Sequence, residues 1–170
     1  MINKIYNNKD TINQIKLVLE KEGNIQLQNF LIDLPKIKVK LKEVYIPQLH
    51  KYRFNNFKIN KEIKEFIEKI INKKLISSKV YEFKHTDYTL INDNIKEKEG
   101  YKIILDLTKN WNEEANGYTS FIKNNEEVFR INPAYNSLTI IKTNKNMKSF
   151  VKYVNNKAKD NKRFFIEINV

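Results

Sequence analysis

The chain has 170 residues, 41% of them hydrophobic and 12% aromatic, enough for one domain with a real core and too apolar for a disordered polymer. It contains no cysteine, which removes disulfides, thiolate catalysis and cysteine-based zinc sites at once and fits a reducing compartment. The net charge of +12 comes almost wholly from lysines scattered along the chain, with Arg53, Arg130 and Arg163 as the only arginines, so it reads as compositional bias and not as a nucleic-acid stripe.

Met1 to Lys9 is polar and leads into an amphipathic stretch, unlike a signal peptide, and no run approaches the ~18 apolar residues of a membrane span. A soluble, intracellular (cytoplasmic) protein is expected. Asp10-Thr11 reads as a helix N-cap, Ile12, Ile15, Val18 and Leu19 recur at helical spacing, and Gly23 marks the end. Ile25 and Leu27 alternate with glutamines as a short strand. Lys36 to Lys42 (KIKVKLK) alternates as a strand does, but Ile37, Leu41, Val44 and Tyr45 also fit a helix starting at Pro35, and periodicity leaves both open. Pro47 to Phe57 reads as a loop or irregular strand folded over the core, with His50 on the surface or hydrogen-bonded.

Lys61 to Lys74 is the clearest helix, with Ile63, Phe66, Ile67, Ile70 and Ile71 on one face. From Val80 onward the period shortens. Strands are expected through Val80–Asn94, Tyr101–Thr108, Tyr118–Lys123, Glu127–Ile131, Leu138–Lys142, Phe150–Val154 and Arg163–Ile168, which suggests a sandwich or barrel-like sheet. The chain is therefore expected to be α+β, mainly β: one domain over 1–170, with a helical support region (1–79) and a β core (80–170). With glycine and proline at three each, turns must lean on Asn, Asp and Ser.

His85 and Asp87 stand two apart in VYEFKHTDYTLINDN, a run rich in β-branched and aromatic residues. Side chains at i and i+2 leave a strand on one face, so an imidazole and a carboxylate there can close on one metal ion. His-x-Asp supplies two of the three ligands in the 2-His-1-carboxylate face that holds non-haem Fe(II). Taken alone, the pair equally describes a strand histidine hydrogen-bonded near an acid.

The blocks HTDYTLINDN, YKIILDLTKNWNEEANGYTSFI, FRINPAYNSLTIIKT, MKSFVKYV and KRFFIEI occur in an order that resembles the Fe(II)/2-oxoglutarate dioxygenases of the prolyl-hydroxylase type, in the branch of Tpa1/Ofd1-like proteins. The likeness runs from about Tyr81 to Ile168. It implies a double-stranded β-helix, or jelly roll, with N-terminal helices packed on it, and Fe(II) and 2-oxoglutarate as cofactors. It places His85 and Asp87 at two metal-ligand positions. Arg163 falls where a basic residue grips the cosubstrate carboxylate, a role that suits a planar guanidinium. Tyr81, on the expected face of His85, is a candidate for the same cosubstrate pocket or a plain core aromatic. Trp111 and Gly117 match a family turn imperfectly, with Asn116 where glycine is usual, and read as a structural hairpin.

The resemblance breaks at the third ligand, since no histidine follows His85. Matching SFVKYV to the family's H-x-V-x-x-V puts Ser149 there, and counting back from Arg163 puts Asn156 there. Neither replaces imidazole. Phe165 also stands where a cosubstrate-binding serine is usual. Two readings follow: a divergent dioxygenase hydroxylating a C–H bond of a protein or peptide, or the same scaffold kept as a catalytically inactive binding module. A third, nucleic-acid binding through the aromatic and basic residues of HKYRFNNFK (His50–Lys58), is disfavoured beside a covering loop whose aromatics belong to the core.

Overall fold

The computed structural model describes residues 1–91 and 97–170. Two antiparallel sheets face each other, and two helices cover the outside of the larger one. The large sheet has eight strands: β1 (Asn24–Leu27), β9 (Ser137–Thr143), β6 (Gly100–Asp106), β11 (Arg163–Asn169), β4 (Ser77–Phe83), β3 (His50–Asn56) and β2 (Lys42–Ile46) in that order, with β5 (Tyr88–Thr89) also paired to β3. The small sheet runs β10 (Met147–Val151), β7 (Thr119–Lys123), β8 (Glu126–Ile131). This is the expected α+β, mainly β jelly roll. No helix among the described residues is long and apolar enough to cross a membrane.

Alternation along each strand of the large sheet sorts its side chains into two cores. Val80, Ile103, Leu105, Ile140, Ile166 and Ile168 face the helices, while Phe83, Ile104, Ile141 and Phe165 face the small sheet and meet Phe121, Ile131, Met147 and Val151. Helix α1 (Lys9–Glu22) contributes Ile12, Ile15 and Leu19 to the first core. It starts two residues before the expected site because the Asn8 side chain, not Asp10 or Thr11, accepts from the Thr11 N–H at 2.7 Å. Helix α2 (Lys61–Ile71) buries all five expected apolar residues and is capped by Asn60, which accepts from the Ile63 N–H at 2.8 Å.

Residues 36–41 are extended but outside any ladder; Ile37, Val39 and Leu41 pack on the core while Lys36, Lys38 and Lys40 point to solvent. Of the two readings of Pro47–Phe57, loop or irregular strand, the structure has the strand: β3 lies between β2 and β4 in the large sheet. It draws Tyr52 and Phe54 into the aromatic layer and sends Lys51 and Arg53 to the opposite face. The expected strand over Val80–Asn94 is interrupted: β4 ends at Phe83, a tight turn follows, and β5 resumes at Tyr88. Residues 92–94 of that stretch lie outside the described residues.

Among the described residues, ten non-glycine positions have positive φ, and seven of them are asparagine. Asparagine tolerates the left-handed conformation better than other side chains, so it supplies the turns of a glycine-poor chain. Gly117 is different. At φ +69°, a Cβ there would lie 2.9 Å from Trp111 Cζ2 and 3.0 Å from Val154 Cγ2. Only glycine lets the Trp111 ring, whose Nε1–H donates to the Asn116 carbonyl at 3.0 Å, lie against the backbone of this hairpin.

Candidate functional site

Between the two sheets lies a cavity of about 250 Å³. Its aromatic wall comes from alternate positions of β3, β4 and β11: Tyr52, Tyr81, Phe83 and Phe165. Their rings are contiguous, with centroids 5.6 Å apart for Tyr52–Tyr81, 5.5 Å for Tyr52–Phe83 and 5.3 Å for Tyr81–Phe165. The other wall is polar. Lys102 of β6 and Glu167 of β11 are diagonal neighbours on the inner face, and the Lys102 Nζ lies 3.3 Å from Glu167 Oε2 and 3.0 Å from Glu97 Oε1. Lys102 also donates to Ser149 Oγ at 3.2 Å, and Ser149 donates to Glu97. Burial pulls the Lys102 ammonium down, but Glu167 and then Glu97 outweigh it, so its pKa is raised. Burial raises the phenols of Tyr52 and Tyr81, and the charge of Glu167 raises them further.

The shift of Lys102 has a testable sign. A cation whose pKa is raised on folding adds stability below its unfolded value near ~10.4, and that stability is lost as pH rises through the folded value. Lys102→Met should cost about 2 kcal/mol at pH 7 by leaving two glutamates uncompensated. The parent should lose part of that advantage as the pH rises above ~10.4 toward the raised folded pKa of Lys102. Urea unfolding midpoints of parent and variant at pH 7 and pH 11 read the loss.

The residues expected at a metal centre are placed apart. His85 is exposed in the turn after β4, and Thr86 beside it has φ +75°. Asp87 is fully buried, but its carboxylate closes the turn by accepting from the Lys84 N–H at 3.0 Å. It also accepts from Arg53 Nη1 at 3.0 Å and lies 4.0 Å from Lys51 Nζ. Arg53 stands opposite Glu82 in the β3–β4 ladder, on the face away from Tyr52, Tyr81 and Phe83. Burial pushes the Asp87 carboxyl up, and the Lys84 N–H, Arg53 and Lys51 pull it back. The i, i+2 rule fails here because the turn replaces the strand on which it depends.

Ser149 lies on the cavity wall, held by Glu97 and Lys102. Asn156 is exposed at the start of a 3-10 turn, Asn156–Ala158. Tyr81 is in the aromatic wall. Arg163 faces inward but is sealed under the floor: it is fully buried, donates through Nη1 to the Gly117 carbonyl and lies over the Phe165 ring at 4.5 Å. Its Nε faces Asp106 Oδ2 at 3.6 Å. Burial pulls the Arg163 pKa down to about 10 and pushes Asp106 up.

These surroundings do not fit the family's iron and cosubstrate. A divalent cation at Asp87 would have to displace or crowd Arg53 and Lys51, and His85 does not converge with it on the cavity. No group of three or more His, Cys, Asp or Glu residues able to hold a metal occurs among the described residues. A dicarboxylate reaching Arg163 would meet Asp106 already beside it. The basic and aromatic residues of His50–Lys58 are likewise engaged, Lys51 and Arg53 with Asp87 and the aromatics in the core layer.

Glu97, Lys102, Thr119 and Glu167 escaped the reading of the sequence, as did the place of His50 and Tyr52 on the cavity wall. The signal was present for two of them: Lys102 in YKIILD and Glu167 in RFFIEI are charges flanked by apolar strand residues, and a charge there needs a partner.

A facing pair of sheets with helices behind the larger one, enclosing a mouth between them, defines the double-stranded β-helix class. A family described as "Oxoglutarate and iron-dependent oxygenase degradation C-term" matches residues 48–170, and the chain belongs to it, within the 2-oxoglutarate/Fe(II) oxygenase superfamily of prolyl-hydroxylase type. Prolyl 3-hydroxylase OGFOD1 of Mus musculus is 31% identical over 81 residues, covering 46% of this chain and 15% of that protein, so the chain spans a small part of its relative. Among solved structures, a prolyl hydroxylase from Trichoplax adhaerens, in complex with a hypoxia inducible factor oxygen degradation domain peptide fragment, is similar at TM-score 0.69 and 12% identity, covering 97% of this chain and 90% of that one. A Pseudomonas putida prolyl-4-hydroxylase is similar at TM-score 0.67 and 8% identity, covering 92% and 96%. At these identities the likeness is one of fold.

Proposed function

We propose that this chain is a non-catalytic double-stranded β-helix domain of the prolyl-hydroxylase type, a binding module whose mouth takes a polypeptide or other ligand without oxidising it. The observation that carries this reading is the division of the motif across the sheet. Asp87 is tied to Arg53 and Lys51 on one face, His85 is in solvent, and Ser149 lies in the cavity on the other face with Glu97 and Lys102. Metal affinity depends on the number and convergence of ligands, and these do not converge. The peptide held by the Trichoplax neighbour supports a polypeptide as the class of partner.

The test is turnover and metal binding together. With Fe(II), 2-oxoglutarate, oxygen and reductant, succinate is expected to stay at the level of a protein-free blank, and Mn(II) titrated by electron paramagnetic resonance is expected to show no saturable site. Ser149→His should change neither, because the new imidazole enters the cavity and not the Asp87 turn. Saturable Mn(II) binding that disappears in His85→Ala, or succinate above the blank, would establish the divergent dioxygenase instead.

A further inference from the structure

The cavity between the sheets has a charge and a wall chemistry opposite to what a dianionic cosubstrate needs. We propose that it binds an organic cation, an ammonium group on an aliphatic stem, presented either by a lysine side chain or by a free alkylamine. This rests on the reading of the mouth as a binding pocket and names what the pocket takes.

Four observations converge on that chemistry. Among the described residues, and besides His50, the charged side chains lining the cavity are Glu97, Glu167 and Lys102, two carboxylates against one ammonium. Lys102 shows how the site holds an ammonium: its Nζ sits between one oxygen of each glutamate, at 3.0 and 3.3 Å, and among the described residues no hydrogen bond engages the second oxygen of either. The opposite wall is a continuous aromatic surface, Tyr52, Tyr81, Phe83 and Phe165, whose π-faces attract cations and whose edges accept a methylene stem. Finally, Thr119 is 3% exposed and lines the cavity, and its Oγ1 has no hydrogen-bond partner among the described residues. A buried hydroxyl so placed is an unused acceptor for an N–H donor.

Size and sign then select the ligand. The volume of about 250 Å³ falls below the ~300–1,000 Å³ of drug-sized sites, so the cavity suits one side chain or a small amine. A dicarboxylate would be repelled by Glu97 and Glu167, and a neutral alkyl chain would leave their free oxygens and Thr119 without a donor. An alkylammonium satisfies both walls.

The experiment titrates the full chain with n-butylammonium, n-butanol, 2-oxoglutarate and acetyl-Gly-Lys-Gly-amide, following the ring resonances of Tyr52 and Tyr81 by NMR. Butylammonium is expected to shift these resonances saturably, with butanol at least about tenfold weaker and 2-oxoglutarate without effect. Glu167→Gln should weaken the cation about tenfold. Thr119→Val, nearly isosteric, should weaken it by a smaller factor and serves if Glu167→Gln does not fold. A matching shift from the peptide assigns the cation to a polypeptide, and a shift from the amine alone assigns it to a small molecule. Equal binding of butanol, retained affinity in the folded variants, or no saturable shift overturns the proposal. A failed amine titration with no succinate formed removes this inference and leaves the non-catalytic reading standing, whereas succinate formation removes that reading whatever the amine does.

Discussion

Arg163→Ala is expected to lower stability by about 3–5 kcal/mol, and to leave the response of the protein to 2-oxoglutarate unchanged. The guanidinium is fully buried, and three groups are arranged around it: the Gly117 carbonyl that accepts from Nη1, the Asp106 carboxylate facing Nε at 3.6 Å, and the Phe165 ring beneath it. Truncation strands Asp106, itself fully buried, without its counter-charge and leaves a void between the sheets. Denaturant unfolding reads the loss. Replacing both partners together, Arg163→Met with Asp106→Leu, should recover much of it, because an apolar pair of similar volume avoids the desolvation cost of two buried charges. A cosubstrate-gripping arginine would behave in the reverse way, with small effects on unfolding and a specific loss of 2-oxoglutarate binding.

Asp87→Ala should cost about 2–3 kcal/mol, whereas its neighbour in the motif, His85→Ala, should stay within about 0.5 kcal/mol of the parent. Asp87 accepts from the Lys84 N–H and from Arg53 and fixes the turn between β4 and β5, so its removal orphans a backbone donor and takes one carboxylate partner from Arg53. Arg53 keeps contacts to Glu43 and Glu82, which holds the loss below that of a wholly stranded charge. His85 is exposed at the outside of the turn. Chemical denaturation of the two single variants side by side is the measurement. Equal and small losses accompanied by loss of bound Mn(II) from both would mean that the pair is a metal site.

The contrast between these two neighbours shows how far the sequence could be read. Helix α2 was legible because five apolar residues repeat at helical spacing and no competing signal interrupts them. Most strands after residue 100 were legible to within a few residues for the same reason at period two, and the order of blocks carried the fold class. The His85–Asp87 geometry was not legible, because periodicity assumes a continuous strand and says nothing of an aspartate whose carboxylate bonds back to the N–H of Lys84. Strand β3 was only half legible: His50, Arg53 and Asn55 look like loop residues, which left loop and irregular strand both open although Tyr52 and Phe54 alternate with them. The partners of Arg163 were beyond reach, since Asp106 and Gly117 are brought to it only by the pairing of β11 with β6 and by the Trp111 hairpin.

The asparagines at left-handed positions carry a consequence for the unfolded chain. Glycine at those sites would remove the strain of positive φ, but it would also enlarge the set of conformations that folding must collapse. Asparagine exchanges a little local strain for a stiffer coil, and its amide can stitch segments remote in sequence: Asn136 accepts from the Leu31 N–H at 2.9 Å and donates to the Leu31 carbonyl at 2.8 Å. Where glycine would leave a hinge, such a residue sets a rivet.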